Sequence, residues 1–221
     1  RQDFTEWFER EVYMCQALGE HYIPSLNDAE LTWRASYAKA GRDAPYERRV
    51  NYEDFEDGLG HRFQFNRLGT ANALKFSELD DESYDLGVDL VLPVDIADRT
   101  VDFKVGGAFL DKTRDTSQAN FRYVGSLPEE LRNSRIDLIF SDPVIEAGIL
   151  QIDRQGTTGF PDIAEAGLTT YGAYTAADFE WNEFLRLGLG VRYEQSEQTT
   201  ATSRSGVENS RFEFAPLEED Y

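Results

Sequence analysis

The chain has 221 residues, with 22 Lys and Arg against 42 Asp and Glu, a net charge of -20 and a pI near 4.4. That balance argues against a nucleic-acid partner, because phosphate binding needs clustered Lys and Arg. A content of 40% hydrophobic and 13% aromatic residues argues equally against a disordered acidic tail.

Cys15 is the single cysteine, so no internal disulfide holds the chain, and it reads as a small apolar filler. No apolar run approaches the ~18 residues of a spanning helix. A mean hydropathy of -0.55 leaves a β-barrel open, because only alternate residues of a barrel strand face lipid. The chain starts at Arg1 with neither an initiator methionine nor a charged-then-apolar leader, which reads as a piece of a longer precursor.

In chain order, Arg1–Gly19 opens with Phe4, Trp7, Phe8 and Val12 near helical spacing. A strand descending to a break at Ile23-Pro24-Ser25-Leu26-Asn27-Asp28 is the preferred reading. Glu30–Ala40 alternates Leu31, Trp33, Ala35 and Tyr37 with Thr32, Arg34, Ser36 and Ala38, which predicts a strand. From Gly41 to Ser83 the alternation dissolves; Tyr46–Asn51 could extend the strand, but YEDFEDGLG and SELDDES are acidic and Gly-containing. This predicts roughly 40 residues of loop, far beyond the usual connection in a compact soluble domain.

Tyr84–Val94 alternates cleanly again, with Tyr84, Leu86, Val88, Leu90 and Leu92 against Asp85, Gly87 and Asp89. After a tight break at Asp95–Arg99, Thr100–Tyr123 places Val101, Phe103, Val105, Gly107 and Phe109 opposite Asp102, Lys104, Gly106 and Ala108. A second long connection, Gly125–Thr170, holds a predicted short helix after Pro128 (PEELR) and is interrupted by Pro143 and Pro161.

The last pair of strands, within Leu168–Glu194, turns near Asn182. In its second strand Leu185, Leu187, Leu189, Val191 and Tyr193 share one face, and Arg186, Gly188, Gly190, Arg192 and Glu194 share the other. The first alternates less strictly, with Tyr171, Ala173, Ala177, Phe179 and Trp181 against Tyr174, Asp178 and Glu180. An apolar band rimmed by aromatics is the pattern of a membrane-spanning hairpin, although a soluble sandwich can alternate in the same way. Gln195–Tyr221 is polar and reads as a further loop.

The connections alternate in length: short at 24–29, 95–99 and near 182, long at 41–83, 125–169 and from 195. Short turns on one side and long loops on the other is the layout of an outer-membrane barrel. The expected fold is therefore all-β, an antiparallel up-and-down transmembrane β-barrel segment of about six strands. It forms one partial barrel domain over 1–221, with loops at about 41–83, 125–169 and 195–221.

Three stretches resemble barrel segments of TonB-dependent outer-membrane receptors: GEHYIPSLNDAELTWRASYAKAGRDAPYER (Gly19–Arg48), YDLGVDLVLPV (Tyr84–Val94) and YGAYTAADFEWNEFLRLGLGVRYEQSEQ (Tyr171–Gln198). The resemblance rests on strand texture and turn phrasing. It implies a 22-stranded barrel around an N-terminal plug, located in the outer membrane of a Gram-negative bacterium and energised by a TonB-type protein. It also implies import of a scarce nutrient of the siderophore-iron, cobalamin or glycan class. Plug, TonB box and terminal strand are not among the matched features, and about six strands fall short of the eight in the smallest outer-membrane barrels. The resemblance thus implies an internal slice of a receptor. Its partners would be outer-membrane lipid, the plug of the parent chain, the energising protein and the nutrient ligand.

The chemistry of catalysis is sparse. His21 and His61 lie in different segments, and no nucleophile elbow, Cys pair or phosphate loop occurs, so no catalytic residue, metal site or cofactor is expected. The acidic stretches Glu53–Asp57, Leu79–Glu82 and Glu218–Asp220 could hold Ca²⁺, but none has EF-hand spacing and solvated loops are the plainer reading. Arg34, Asp85, Asp89, Asp102, Lys104, Asp178, Glu180, Arg186 and Arg192 are expected to face inward as a polar wall. The weak ligand candidates are the loop aromatics Phe55, Phe63, Phe65, Phe76, Phe140 and Phe160. Two other classes remain open. One is a secreted soluble all-β module, for instance carbohydrate-binding. The other is a glycosidase-like enzyme with paired loop carboxylates, although no such pair stands out.

Overall fold

The structure is a computed structural model that describes residues 2–57, 60–65, 72–96, 99–154, 162–182 and 184–220, with the side chains of 54–57 and 60–65 left out. In chain order the elements are β1 (Gln2–Ile23), β2 (Ala29–Asp57), β3 (Gly60–Phe65), β4 (Ala73–Ile96), β5 (Arg99–Gly125), α1 (Glu129–Arg132), α2 (Ile136–Ile139), α3 (Asp142–Glu146), β6 (Leu150–Arg154), β7 (Ile163–Asn182), β8 (Leu185–Ser203), β9 (Phe212–Glu213) and β10 (Leu217–Asp220). The sheet order is β1-β2-β4-β5-β7-β8-β10, with β3 beside β2, β6 beside β5 and β9 beside β8. The chain is thus an all-β, antiparallel up-and-down sheet, a barrel segment that does not close on itself.

The first and third tight turns fall where turn chemistry demands them. Pro24 starts a single 3₁₀ turn, Pro24–Leu26, and Asn27 and Asp28 follow at φ 51° and 59°. Asn and Asp tolerate that left-handed conformation because their short polar side chains bond locally. β4 ends at Ile96 and β5 begins at Arg99. In the third turn the Phe184 backbone N–H donates to Asn182 Oδ1 at 2.9 Å, an Asx contact that reverses the chain.

The opening stretch is strand throughout, as preferred from the sequence, and the helical spacing of Phe4, Trp7, Phe8 and Val12 is overridden by pairing with β2. One expectation needs correction. The expected loop at 41–83 is largely strand: β2 runs to Asp57 and turns back into β3, pairing Tyr52 with Phe65 and Asp57 with Gly60. Backbone pairing does not require apolar alternation, which records only what each face packs against. Likewise β8 extends to Ser203, and β10 folds back along it with Leu217 opposite Gln198 and Asp220 opposite Gln195. The helix predicted after Pro128 is present as α1.

The chain divides into two compact units, each described by itself. Unit 1 comprises Arg1–Arg10, Arg42–Leu79 and Thr116–Ile163. It has a true core, in which Val50 and Leu74 from strands meet Tyr123, Leu127, Ile139, Val144 and Leu150. Ile139 anchors α2 and Val144 anchors α3 in this core, and the half-buried Leu131 of α1 packs against it; helices of four or five residues are far too short to stand alone. Unit 2 comprises Glu11–Gly41, Asp80–Asp115 and Ala164–Tyr221. Among its described hydrophobic residues only Ala29 and Ala201 are buried.

Candidate functional site

In unit 2 the alternation of the strands becomes two chemically opposite faces. On one face Leu86, Val88, Phe103, Val105, Leu185 and Leu187 are exposed, and Leu189 and Val191 keep 75% and 72% of their surface open. Aromatics rim this face. The Tyr37 and Tyr84 rings lie 5.0 Å apart, with Glu82 accepting both hydroxyls at 2.7 and 3.0 Å. Phe109 and Tyr171 pair at 5.2 Å, and Trp181 packs on Phe179 at 6.3 Å.

The other face is a charged wall whose members satisfy one another. Arg34 Nε donates to Asp85 Oδ1 at 3.1 Å, and its Nη1 stands 3.9 Å from Asp89. Asp89 accepts the Tyr174 hydroxyl at 2.7 Å. Lys104 and Arg186 converge on Asp178, the latter at 3.6 Å, and Arg192 pairs with Glu194 at 2.6 Å. These contacts join β2 to β4, β4 to β7, β5 to β7 and β7 to β8, so one polar surface crosses all five strands. Two glycines make it flat: a Cβ at Gly87 would come 2.5 Å from the Arg34 guanidinium, and one at Gly188 the same distance from Asp178. At the tight-turn end the wall holds a shallow recess of about 420 Å³ lined by Thr100, Asp102, Asp178, Glu180 and Arg186, with Arg99 beside it. Arg99 is engaged elsewhere, bonding the Trp181 carbonyl at 2.5 Å and stacking on its ring.

The inward charges expected from sequence therefore do share a face. The sequence reading missed an extension of it: Asp81 takes ion pairs from both Lys112 and Arg114. Burial pushes the Asp81 carboxyl up, but the hydrogen bonds and charges of Arg114 and Lys112 outweigh it and hold the group below the ordinary aspartate range. The period-2 register of 102–108 continued to Lys112 and Arg114 was the signal that could have found it.

Of the loop aromatics, Phe76 and Phe140 have described side chains, and the two pack on different neighbours. Phe76 packs edge-on against Phe121 at 5.7 Å. Phe140 packs on Tyr123 at 4.7 Å and carries the Arg48 guanidinium on its ring at 5.0 Å. Phe140 thus packs against the unit 1 core, and Phe76 meets Phe121 at its margin while staying exposed. Phe55, Phe63 and Phe65 lie on the β2–β3 hairpin, with side chains outside the described residues, and Phe160 lies outside them altogether. His61 is on β3, its side chain likewise outside; His21 bonds the Trp33 indole. Cys15 is exposed on β1. Among the described residues no three acidic, His or Cys side chains gather to hold a metal ion.

No family model matches this sequence, and no curated protein matches it. Among solved structures it is similar to the crystal structure of the siderophore receptor PiuA from Acinetobacter baumannii, with a TM-score of 0.50 and 16% sequence identity. The match covers 98% of this chain and 29% of that one, so the chain spans less than a third of the receptor's length. At the level of fold, the chain is built like an antiparallel barrel segment of that receptor.

Proposed function

We propose that the chain is an internal barrel segment of a TonB-dependent outer-membrane receptor that imports a scarce nutrient of the siderophore-iron, cobalamin or glycan class. The observation that carries this reading is the construction of unit 2. It has an exposed aliphatic face, a charged face whose members satisfy one another and, among its described residues, almost no buried hydrophobic side chain. A contiguous apolar surface of that kind needs a cover, and lipid supplies one along a sheet whose backbone is already paired. The charged face then lines a hydrated lumen against a plug domain, with a TonB-type protein supplying energy from the inner membrane of a Gram-negative cell. This reading assigns no catalytic step to the chain.

Uptake by cells that carry or lack the full-length gene tests this. Labelled ferric siderophore, cobalamin and oligosaccharide are offered under limitation, with and without an uncoupler. Gene-dependent accumulation of one class, abolished by the uncoupler, is the expected result. Equal accumulation of all three classes in both strains would overturn it.

A further inference from the structure

One contact at the tight-turn end of β1 and β2 belongs to neither the charged wall nor the loop core. The Trp33 indole Nε1–H donates to His21 Nε2 at 3.0 Å. The indole lies against Gly19, where a Cβ would stand 2.1 Å from Nε1 and 2.3 Å from Cε2. Only glycine leaves that space. Trp33 keeps 37% of its surface exposed, so the ring has room to leave.

An imidazole nitrogen accepts a hydrogen bond only while it carries no proton. The contact therefore requires neutral His21 with its hydrogen on Nδ1. Protonation makes both ring nitrogens donors and sets N–H against N–H. The neighbours that alternation puts on the same face, Gly19 and Ile23 on β1 and Leu31 and Trp33 on β2, are uncharged. Of the nearby acids, Asp28 is bonded to the Tyr22 hydroxyl, and Glu20 and Glu30 alternate to the opposite face. Among the described residues His21 makes no ion pair that would hold an imidazolium in place.

We propose that His21 and Trp33 form an acid-released clasp: neutral His21 pins the indole over Gly19, and protonation frees it. The clasp is independent of the transport reading, because it concerns only the state of the β1–β2 hairpin. The full-length protein, labelled with ¹⁵N at its tryptophan indoles, is titrated across the range in which histidine changes charge, from about pH 8 to about pH 5. The indole signal lost in Trp33→Phe moves in a single step on acidification, while those of Trp7 and Trp181 serve as internal controls. In His21→Gln the amide oxygen still accepts but does not titrate, so the Trp33 signal stays where it is in neutral wild type. Gly19→Ala displaces the ring and removes the step; if that variant does not fold, wild type and His21→Gln decide alone. A Trp33 signal constant across the range in wild type, or the same step in His21→Gln, overturns the proposal.

Discussion

Tyr123 and Asp81 are held by opposite means and make opposite pH predictions. Burial in the unit 1 core, reinforced by Tyr46 and partly opposed by Arg48, pushes the Tyr123 phenol up to about 12. Its contribution to stability is fully present below the ordinary tyrosine range and is lost as pH rises from about 10 through about 12. An absorbance titration should lose part of its latest tyrosine signal in Tyr123→Phe; a late signal equal in variant and wild type would contradict the burial. Asp81 is depressed, so its contribution is present above the ordinary aspartate range and disappears as pH falls through the folded value. Stability measured against pH should lose part of its acid-side slope in Asp81→Asn. Gly188 and Leu187 separate the two faces of β8. Leu187→Arg puts a charge on the aliphatic face and should cost about 2–4 kcal/mol in a bilayer. Gly188→Ala needs only a shift of the Asp178 carboxylate and should be milder, as measured by yield of folded protein.

The helices are the most testable element. Ile139 is fully buried, so Ile139→Ala should cost about 2–5 kcal/mol locally and speed hydrogen exchange at Phe140 and Ala147, whose amides close α2 and α3. Unchanged exchange there would mean the helices are held by something other than this core. α1 was legible because Pro128 followed by two glutamates is a helix-start signal; α2 and α3 were not, because helices of four or five residues without such a start have no period to read. Strands were legible wherever one face met apolar surroundings and the other polar ones, as in Tyr84–Val94 and Leu185–Glu194. They vanished from the sequence in 41–57 and 73–83, where strand continues without that contrast. The charged wall was legible for the same reason, since alternation fixes which residues share a face. Alternation singles out no ligand residue, because aromatic residues in polar stretches look alike whether they meet a ligand or, as Phe140 does, the core beneath them.

For the whole molecule the central claim is that the Leu- and Val-rich face of unit 2 lies against lipid. The most direct test is a spin label on the full-length protein in its native membrane, placed singly at Leu189→Cys and at Arg192→Cys in a Cys15→Ser background. Contact with lipid predicts that the label at 189 is relaxed strongly by oxygen, which concentrates in hydrocarbon, and weakly by a water-soluble nickel complex, with the reverse at 192. Strong nickel relaxation and weak oxygen relaxation at 189 would contradict it.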